Sequence, residues 1–246
     1  MNIRYTRGLI ILFIASFCSH AFAQNKQADT AFAGRISENM VNYFNKAVGQ
    51  QSRIFTGKQF EPYKFLSKTN ANFNDTTGFT TGSITYEGVL YNNVQLIYNI
   101  ERDLVVSLLY NNFSVYTLQS DKIEDFDIWG HHFIRLVPDS LNRQMDIGFY
   151  DELYQKKLQI LVRREKSVQE ETTTTTIHNV FIPKTNYYIK KRGLYYNINS
   201  QGKLLDVLKD KKKELKQFLK DKNIRYKDNP EQNMVLLAAY YDQLTK

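Results

Sequence analysis

Residues 82–137 read GSITYEGVLYNNVQLIYNIERDLVVSLLYNNFSVYTLQSDKIEDFDIWGHHFIRLV. Apolar and polar residues alternate through much of this stretch, and turn residues interrupt the alternation at intervals of about ten residues. Successive side chains of a β-strand point to opposite faces, so residues two apart share a face. Four apolar residues of one predicted strand fall on the same face: Val94, Leu96, Tyr98 and Ile100. The pattern therefore predicts an antiparallel meander with one buried face.

Further strands are predicted on the C-terminal side of this stretch. Residues 158–168 and 172–182 are rich in β-branched residues and predict a long hairpin. The five threonines at 172–176 are interpreted as strand rather than as a low-complexity tether, because the apolar pattern continues beyond them. Residues 187–198 predict a last hairpin. The predicted sheet thus covers roughly residues 82–198.

The segment before the sheet differs in composition. Residues 50–82 contain isolated aromatic residues among Asn, Thr and Gly, with no sustained period. This composition predicts a long irregular segment that its aromatic residues hold against the main body.

Helices are predicted at both ends of the chain. Apolar residues recur at helical spacing from Ile36 to Ala47, and Gly49 follows as a stop. Ser200 is a helix cap, and Asn229-Pro230 begins a second C-terminal helix, so a helical pair is expected over roughly residues 203–244. We therefore predict an α+β protein. Its curved antiparallel β-meander sheet carries an N-terminal helix and a C-terminal helical pair, in one domain over residues 35–246.

The first 23 residues have the pattern of a cleavable signal peptide. Arg4 and Arg7 precede an apolar stretch over residues 9–17, and Ala21-Phe22-Ala23 is a small-x-small cleavage site. A flexible leader is expected over residues 24–34. The apolar stretch is shorter than the roughly 20 residues that span a bilayer, and no later stretch approaches that length. The pattern predicts export to the periplasm or the extracellular space, with no transmembrane segment after signal removal.

Cys18 is the only cysteine of the chain. Lipidation at this residue is an alternative interpretation, but lipoprotein processing prefers a small residue where Phe17 stands. Cleavage after Ala23 would leave a chain without cysteine, which excludes disulfides and zinc-thiolate sites from that chain.

Several strings of the sequence resemble a known family. They are Gly82–Tyr98, His131–Leu136, Gly148–Tyr154, Leu208–Leu215 and Ala238–Leu244. They resemble uncharacterised exported proteins from Bacteroidetes-type bacteria, and the resemblance spans most of the chain after residue 23. It implies export, and it implies no activity for any residue.

Basic residues concentrate near the C-terminus. Residues 203–227 contain 10 Lys or Arg against 4 Asp or Glu, whereas the whole chain has a net charge of +8. This segment is a candidate surface for an anionic partner, which we expect to be an envelope lipid, an anionic glycan or an envelope protein. The alternative is a solvated outer face of a helix docked by its leucines. No nucleic acid is expected. The candidate residues are Lys212, Lys213, Lys216 and Lys220.

Histidines, neighbouring carboxylates and tyrosines are the candidates for a chemical or binding site. His131 and His132 point to opposite faces of a strand, so only one of them can join His178 and Asp127 in a metal site. Asp151-Glu152 and Glu170-Glu171 are sequence neighbours and are interpreted as solvated turn residues rather than a glycosidase pair. Five tyrosines could form an aromatic platform, although half-buried strand positions explain them equally well. These are Tyr86, Tyr91, Tyr98, Tyr110 and Tyr116.

No stretch carries a recognisable catalytic, phosphate-binding or zinc motif. We assign no catalytic residue, cofactor or metal. The predicted function is an exported, non-enzymatic envelope protein that binds or scaffolds an envelope partner. The alternative is an extracytoplasmic hydrolase with an active site assembled from distant residues.

Overall fold

The computed structural model describes residues 49–172 and 177–245, together with the isolated positions Met40 and Tyr43. Eleven strands, all paired antiparallel, form one sheet. The strands are β1 (Lys58–Gln59), β2 (Thr80–Tyr86), β3 (Val89–Asn99), β4 (Leu104–Leu108), β5 (Val115–Thr117), β6 (Ile123–Ile128), β7 (His131–Leu136), β8 (Gly148–Gln155), β9 (Gln159–Thr172), β10 (Ile177–Lys191) and β11 (Leu194–Asn197).

Three α-helices follow the sheet: α1 (Gln201–Val207), α2 (Lys212–Asp221) and α3 (Pro230–Leu244). Short 3₁₀ turns occur at Gly49–Gln51, Arg53–Phe55, Phe73–Asp75, Ser120–Lys122 and Lys209–Lys211. A mostly antiparallel sheet followed by helices confirms the α+β class. The predicted N-terminal helix lies outside the described residues except for Met40 and Tyr43. Threonines 173–176, predicted as strand, lie outside them too.

The sheet contains two meanders rather than one. Its strand order is β1-β5-β4-β3-β2-β6-β7-β8-β9-β10-β11, so β2 to β5 form one meander and β6 to β11 form the other. The two halves join where β6 pairs with β2. The free edge of β5 is occupied by β1, through Lys58 opposite Thr117, so β6 does not extend the first meander. The prediction of a single meander was therefore wrong at this junction.

Residues 118–122 join β5 to β6, and their length requires the sheet to coil. The register places Thr117 level with Ile97, near the start of β2, whereas Ile123 pairs with Tyr86 at the end of β2. In a flat sheet Thr117 and Ile123 would be about 30 Å apart, because they are separated by four strand spacings and by about seven residues along the strand direction. Six residues of chain reach only about 20 Å.

The positions of two buried tyrosines agree with a coiled sheet. Tyr116 on β5 belongs to one core cluster with Tyr86 at the far end of β2. Burial raises the pKa of Tyr116, and Tyr86 contributes to this rise electrostatically. Residues 54–56 contact both rings: Tyr116 donates to the carbonyl of Ile54 (3.0 Å), and Thr56 Oγ1 lies 3.3 Å from Tyr86 Oη.

The inner face of the coiled sheet encloses an aromatic core. Phe126 and Phe133 are stacked, with ring centroids 4.9 Å apart. Tyr98 and Phe149 meet Phe126 edge-on at 5.2 Å. None of these four residues is more than 1% exposed. The residues predicted to share the buried face of β3 include Leu96, Tyr98 and Ile100, and all three are buried, which confirms that part of the alternation.

The outer face of β3 and β4 is covered as well, by residues 58–79, which we call the covering segment. Val106 points to this outer face and is 2% exposed. Lys166 of β9 holds the segment by donating to the carbonyls of Asn70 and Asn72 at 2.8 and 2.9 Å. The predicted irregular segment is thus confirmed, but the prediction of a single dry face was wrong here.

The helices pack on the second half of the sheet. Their leucines form a second core cluster with Ile160 of β9 and Ile189 of β10. The predicted helical pair is in fact three helices, because the first helix is interrupted after Val207. Lys191 donates to the Val207 carbonyl at 3.0 Å. In a continuous helix that carbonyl would accept from Lys211, whose amide bonds Leu208 instead.

The aromatic core predicts a large cost for truncating Phe126. We expect Phe126→Ala to lower the free energy of unfolding by about 3 to 5 kcal/mol, because it leaves a cavity between stacked rings. Phe113→Ala is the matched control, since Phe113 is 87% exposed, and should cost less than about 0.5 kcal/mol. Denaturant unfolding measures both. Equal effects of the two substitutions would contradict the position of the core.

Candidate functional site

A buried polar network connects the sheet to α3. Asp151 on β8 is 1% exposed and accepts two bonds from Arg164 of β9, from Nε at 2.8 Å and Nη2 at 2.5 Å. Arg164 also makes a two-bond pair with Glu231 in the first turn of α3, at 3.0 and 2.9 Å. Burial disfavours the guanidinium charge, but the contacts with Glu231 and Asp151 outweigh it and raise the pKa of Arg164.

His131 joins this network from the start of β7. Its Nδ1 lies 2.7 Å from Asp151 Oδ2, and its side chain is 33% exposed. Phe73 of the covering segment meets the imidazole edge-on at 4.9 Å. An imidazole held by a buried carboxylate can act as a general base. Here the same carboxylate is already paired with Arg164. The pairing neutralises the buried charge of Asp151 and fixes its orientation, which is a structural role.

The sequence interpretation of Asp151-Glu152 was wrong. Both residues lie in β8, Asp151 is buried, and Glu152 accepts from Gln159 at 2.5 Å. Strand β8 and the Asp151–Arg164 pair were missed at the sequence level. The available signal was the charged run Arg163–Lys166, which directly follows the apolar residues Ile160–Val162, since buried charges require partners.

The other histidines do not form a metal site in the structure. His132 pairs with Asp127 at 2.8 Å on an exposed part of β6 and β7. His178 lies in β10, opposite Glu171. The part of the chain that the structure describes contains no group of three His, Cys, Asp or Glu residues that could hold a metal ion.

Two further sequence interpretations are decided by burial. Glu170 and Glu171 are exposed, as predicted, but they lie in β9 and not in a turn. An aromatic platform is excluded, because only Tyr110 of the five tyrosines is exposed, at 49%. The buried members are Tyr86, Tyr91, Tyr98 and Tyr116.

The basic segment folds into α1, α2 and the turns after them. Of the four predicted candidates, Lys212 is engaged, since its Nζ lies 2.6 Å from Asp206. The other three are exposed and lie outside the buried side of α2, which carries Leu215 and Leu219. Among the described residues no carboxylate lies within ion-pair distance of them. We call these three residues, Lys213, Lys216 and Lys220, the lysine face.

Most acidic side chains near the lysine face form ion pairs with other lysines. Glu214 pairs with Lys211 at 3.4 Å. Asp210 pairs with Lys191 of β10 at 2.5 Å and accepts from Tyr241 of α3 at 2.7 Å. Partial desolvation favours the neutral acid, but the bonds from Lys191 and Tyr241 outweigh it and lower the pKa of Asp210 from 3.8 to about 2.

Comparison with models of protein families, with curated proteins and with solved structures finds no match to this chain. Within the described part of the chain, every helix is too short or too polar to cross a membrane.

The two Asp–His pairs differ in burial and predict different costs of removal. Asp151→Ala would leave Arg164 only partly compensated inside the protein, so we expect a loss of about 3 to 5 kcal/mol in the free energy of unfolding. Asp127→Ala removes a partner from an exposed histidine and should cost less than about 1 kcal/mol. Denaturant titrations give both values. A small effect at Asp151 would show that the network is not a structural one.

The lowered pKa of Asp210 predicts a pH dependence of stability. The charged carboxylate stabilises the fold above about pH 3.8, and this contribution is lost as the pH falls towards 2. We expect Asp210→Asn to lower the unfolding temperature near neutral pH and to match the wild type near pH 2. The control is Asp206→Asn, at an exposed ion pair, with a smaller difference. A difference for Asp210→Asn that persists at pH 2 would exclude the charge as its cause.

Proposed function

We propose that the chain is an exported, non-enzymatic protein of the cell envelope that binds an anionic lipid surface through the lysine face of α2. The observation that carries the proposal is the state of the charges around that helix. Three lysines are exposed without a carboxylate partner in the described part of the chain, while Asp206, Asp210 and Glu214 are bound internally. The signal-like pattern of residues 1–23 supports export.

A lipid surface is favoured over other anionic partners by the arrangement of the lysines. Residues 213, 216 and 220 follow one side of a helix, so their ammonium groups can approach one plane of charge together. Each lysine close to an anionic leaflet contributes about 1 kcal/mol to binding. The hydrophobic side of α2 is already buried against the second core, so binding rests on charge and not on insertion.

The proposal predicts a loss of binding when the lysine face is neutralised. We expect the variant K213Q/K216Q/K220Q to bind phosphatidylglycerol vesicles about 100-fold more weakly than the wild type, since three charges are removed. Vesicle co-sedimentation measures the partition. Binding to the wild type should weaken steeply with added salt and should be absent on phosphatidylcholine vesicles.

The matched control carries the same change of charge elsewhere. K58Q/K64Q/K156Q also removes three positive charges from exposed lysines, outside α2. This control should bind like the wild type. An equal loss of vesicle binding in both variants would show that only net charge matters, and it would overturn the lysine face as the binding site. Wild-type binding to a soluble anionic glycan, with none to phosphatidylglycerol, would overturn the lipid assignment.

A further inference from the structure

The covering segment lines a half-open cavity that shares no residue with the lysine face. The cavity has a volume of about 370 Å³ and lies between the covering segment, the outer face of β3 to β5, and β10. Ile97 and Val106 form its floor on the sheet. Phe181 of β10 closes one side, where its ring meets that of Tyr63 at 5.0 Å and that of Phe65 at 6.0 Å.

Most polar side chains of the lining are already bonded to the protein. Asn99 is 1% exposed, and its amide exchanges bonds with the Tyr63 hydroxyl at 3.1 and 3.3 Å. Asn70 and Asn72 donate to backbone carbonyls of the covering segment at 2.7 and 2.8 Å. The described residues that line the cavity include no charged side chain. A ligand in the cavity would therefore contact mainly apolar and aromatic surface.

The mouth of the cavity exposes apolar residues. Phe65 lines the cavity and is 37% exposed, and the adjacent Leu66 is 89% exposed. Exposed apolar residues gathered beside a cavity are typical of a ligand entrance. Two anchors hold the covering segment after this entrance: Ser67 donates to the Asn179 carbonyl at 2.7 Å, and Lys166 donates to the Asn70 carbonyl. The cavity is therefore built into the fold.

We propose that this cavity binds an uncharged hydrocarbon group of about a dozen carbon atoms. The size follows from comparison with apolar cavities of about 150 Å³, which hold one benzene molecule. The absence of charge among the lining residues excludes a ligand that buries an ionised group there, because such a group would need a partner. The group belongs either to a free neutral molecule or to the chain of a lipid.

Probe binding in solution tests the cavity without any membrane. The neutral fluorophore N-phenyl-1-naphthylamine should bind saturably at one site per chain, and 1-dodecanol should displace it. Ile97→Phe places a larger side chain on the floor of the cavity and should weaken binding at least tenfold. The matched control is Ile147→Phe, at a position 59% exposed and outside the cavity, which should bind like the wild type.

A second variant keeps the test decisive if Ile97→Phe does not fold. Phe65→Ala removes a partly exposed wall and should weaken probe binding several-fold while leaving the unfolding temperature nearly unchanged. Wild-type affinity in a folded variant at either position would overturn the proposal. Probe binding that 1-dodecanol does not displace would overturn it as well.

Transfer from vesicles distinguishes the two sources of the hydrocarbon group. Extraction of a fluorescent phospholipid from phosphatidylcholine vesicles, reduced several-fold in Phe65→Ala, would identify a lipid chain as the occupant. Displacement by 1-dodecanol without extraction would identify a free neutral molecule. Because the lysine face requires phosphatidylglycerol and the cavity does not, each proposal can fail without the other.

Discussion

The short connection between β5 and β6 is the constraint on which the structure depends. Residues 118–122 are too few to cross a flat sheet, so the sheet has to coil until the end of β5 approaches the end of β2. Coiling gives the sheet an inner face closed enough to bury stacked aromatic rings. It also leaves an outer face that the covering segment shields, and the cavity forms between the two.

The alternating pattern predicted much of this arrangement, because burial of one face imposes a period of two on each strand. The last hairpin, predicted over residues 187–198, matches the end of β10 paired with β11. What alternation does not encode is which strands become neighbours, so the pairing of β2 with β6 was missed. The break after Val207 was missed for a similar reason, since it depends on Lys191, sixteen residues earlier in the chain.

The candidate sites show the same division. An exposed lysine face could be predicted, because helical spacing alone decides which side of α2 faces outward. The role of Lys212 could not, since it depends on Asp206 across a helix break. The Asp151–Arg164–Glu231 network needs three elements brought together, and the cavity needs an irregular segment placed on a sheet, so neither leaves a local pattern in the sequence.

The most direct test of the coiled sheet is the set of nuclear Overhauser contacts made by residues 54–56. We predict contacts from Thr56 to the ring of Tyr86 and from Ile54 to the ring of Tyr116. Tyr86 ends β2, whereas Tyr116 lies level with Thr80 at the start of β2. In a flat sheet the two tyrosines would be about 25 Å apart, because they are separated by three strand spacings and by six residues along the strand direction. Contacts to one ring without the other would contradict the coiling and the cavity that depends on it.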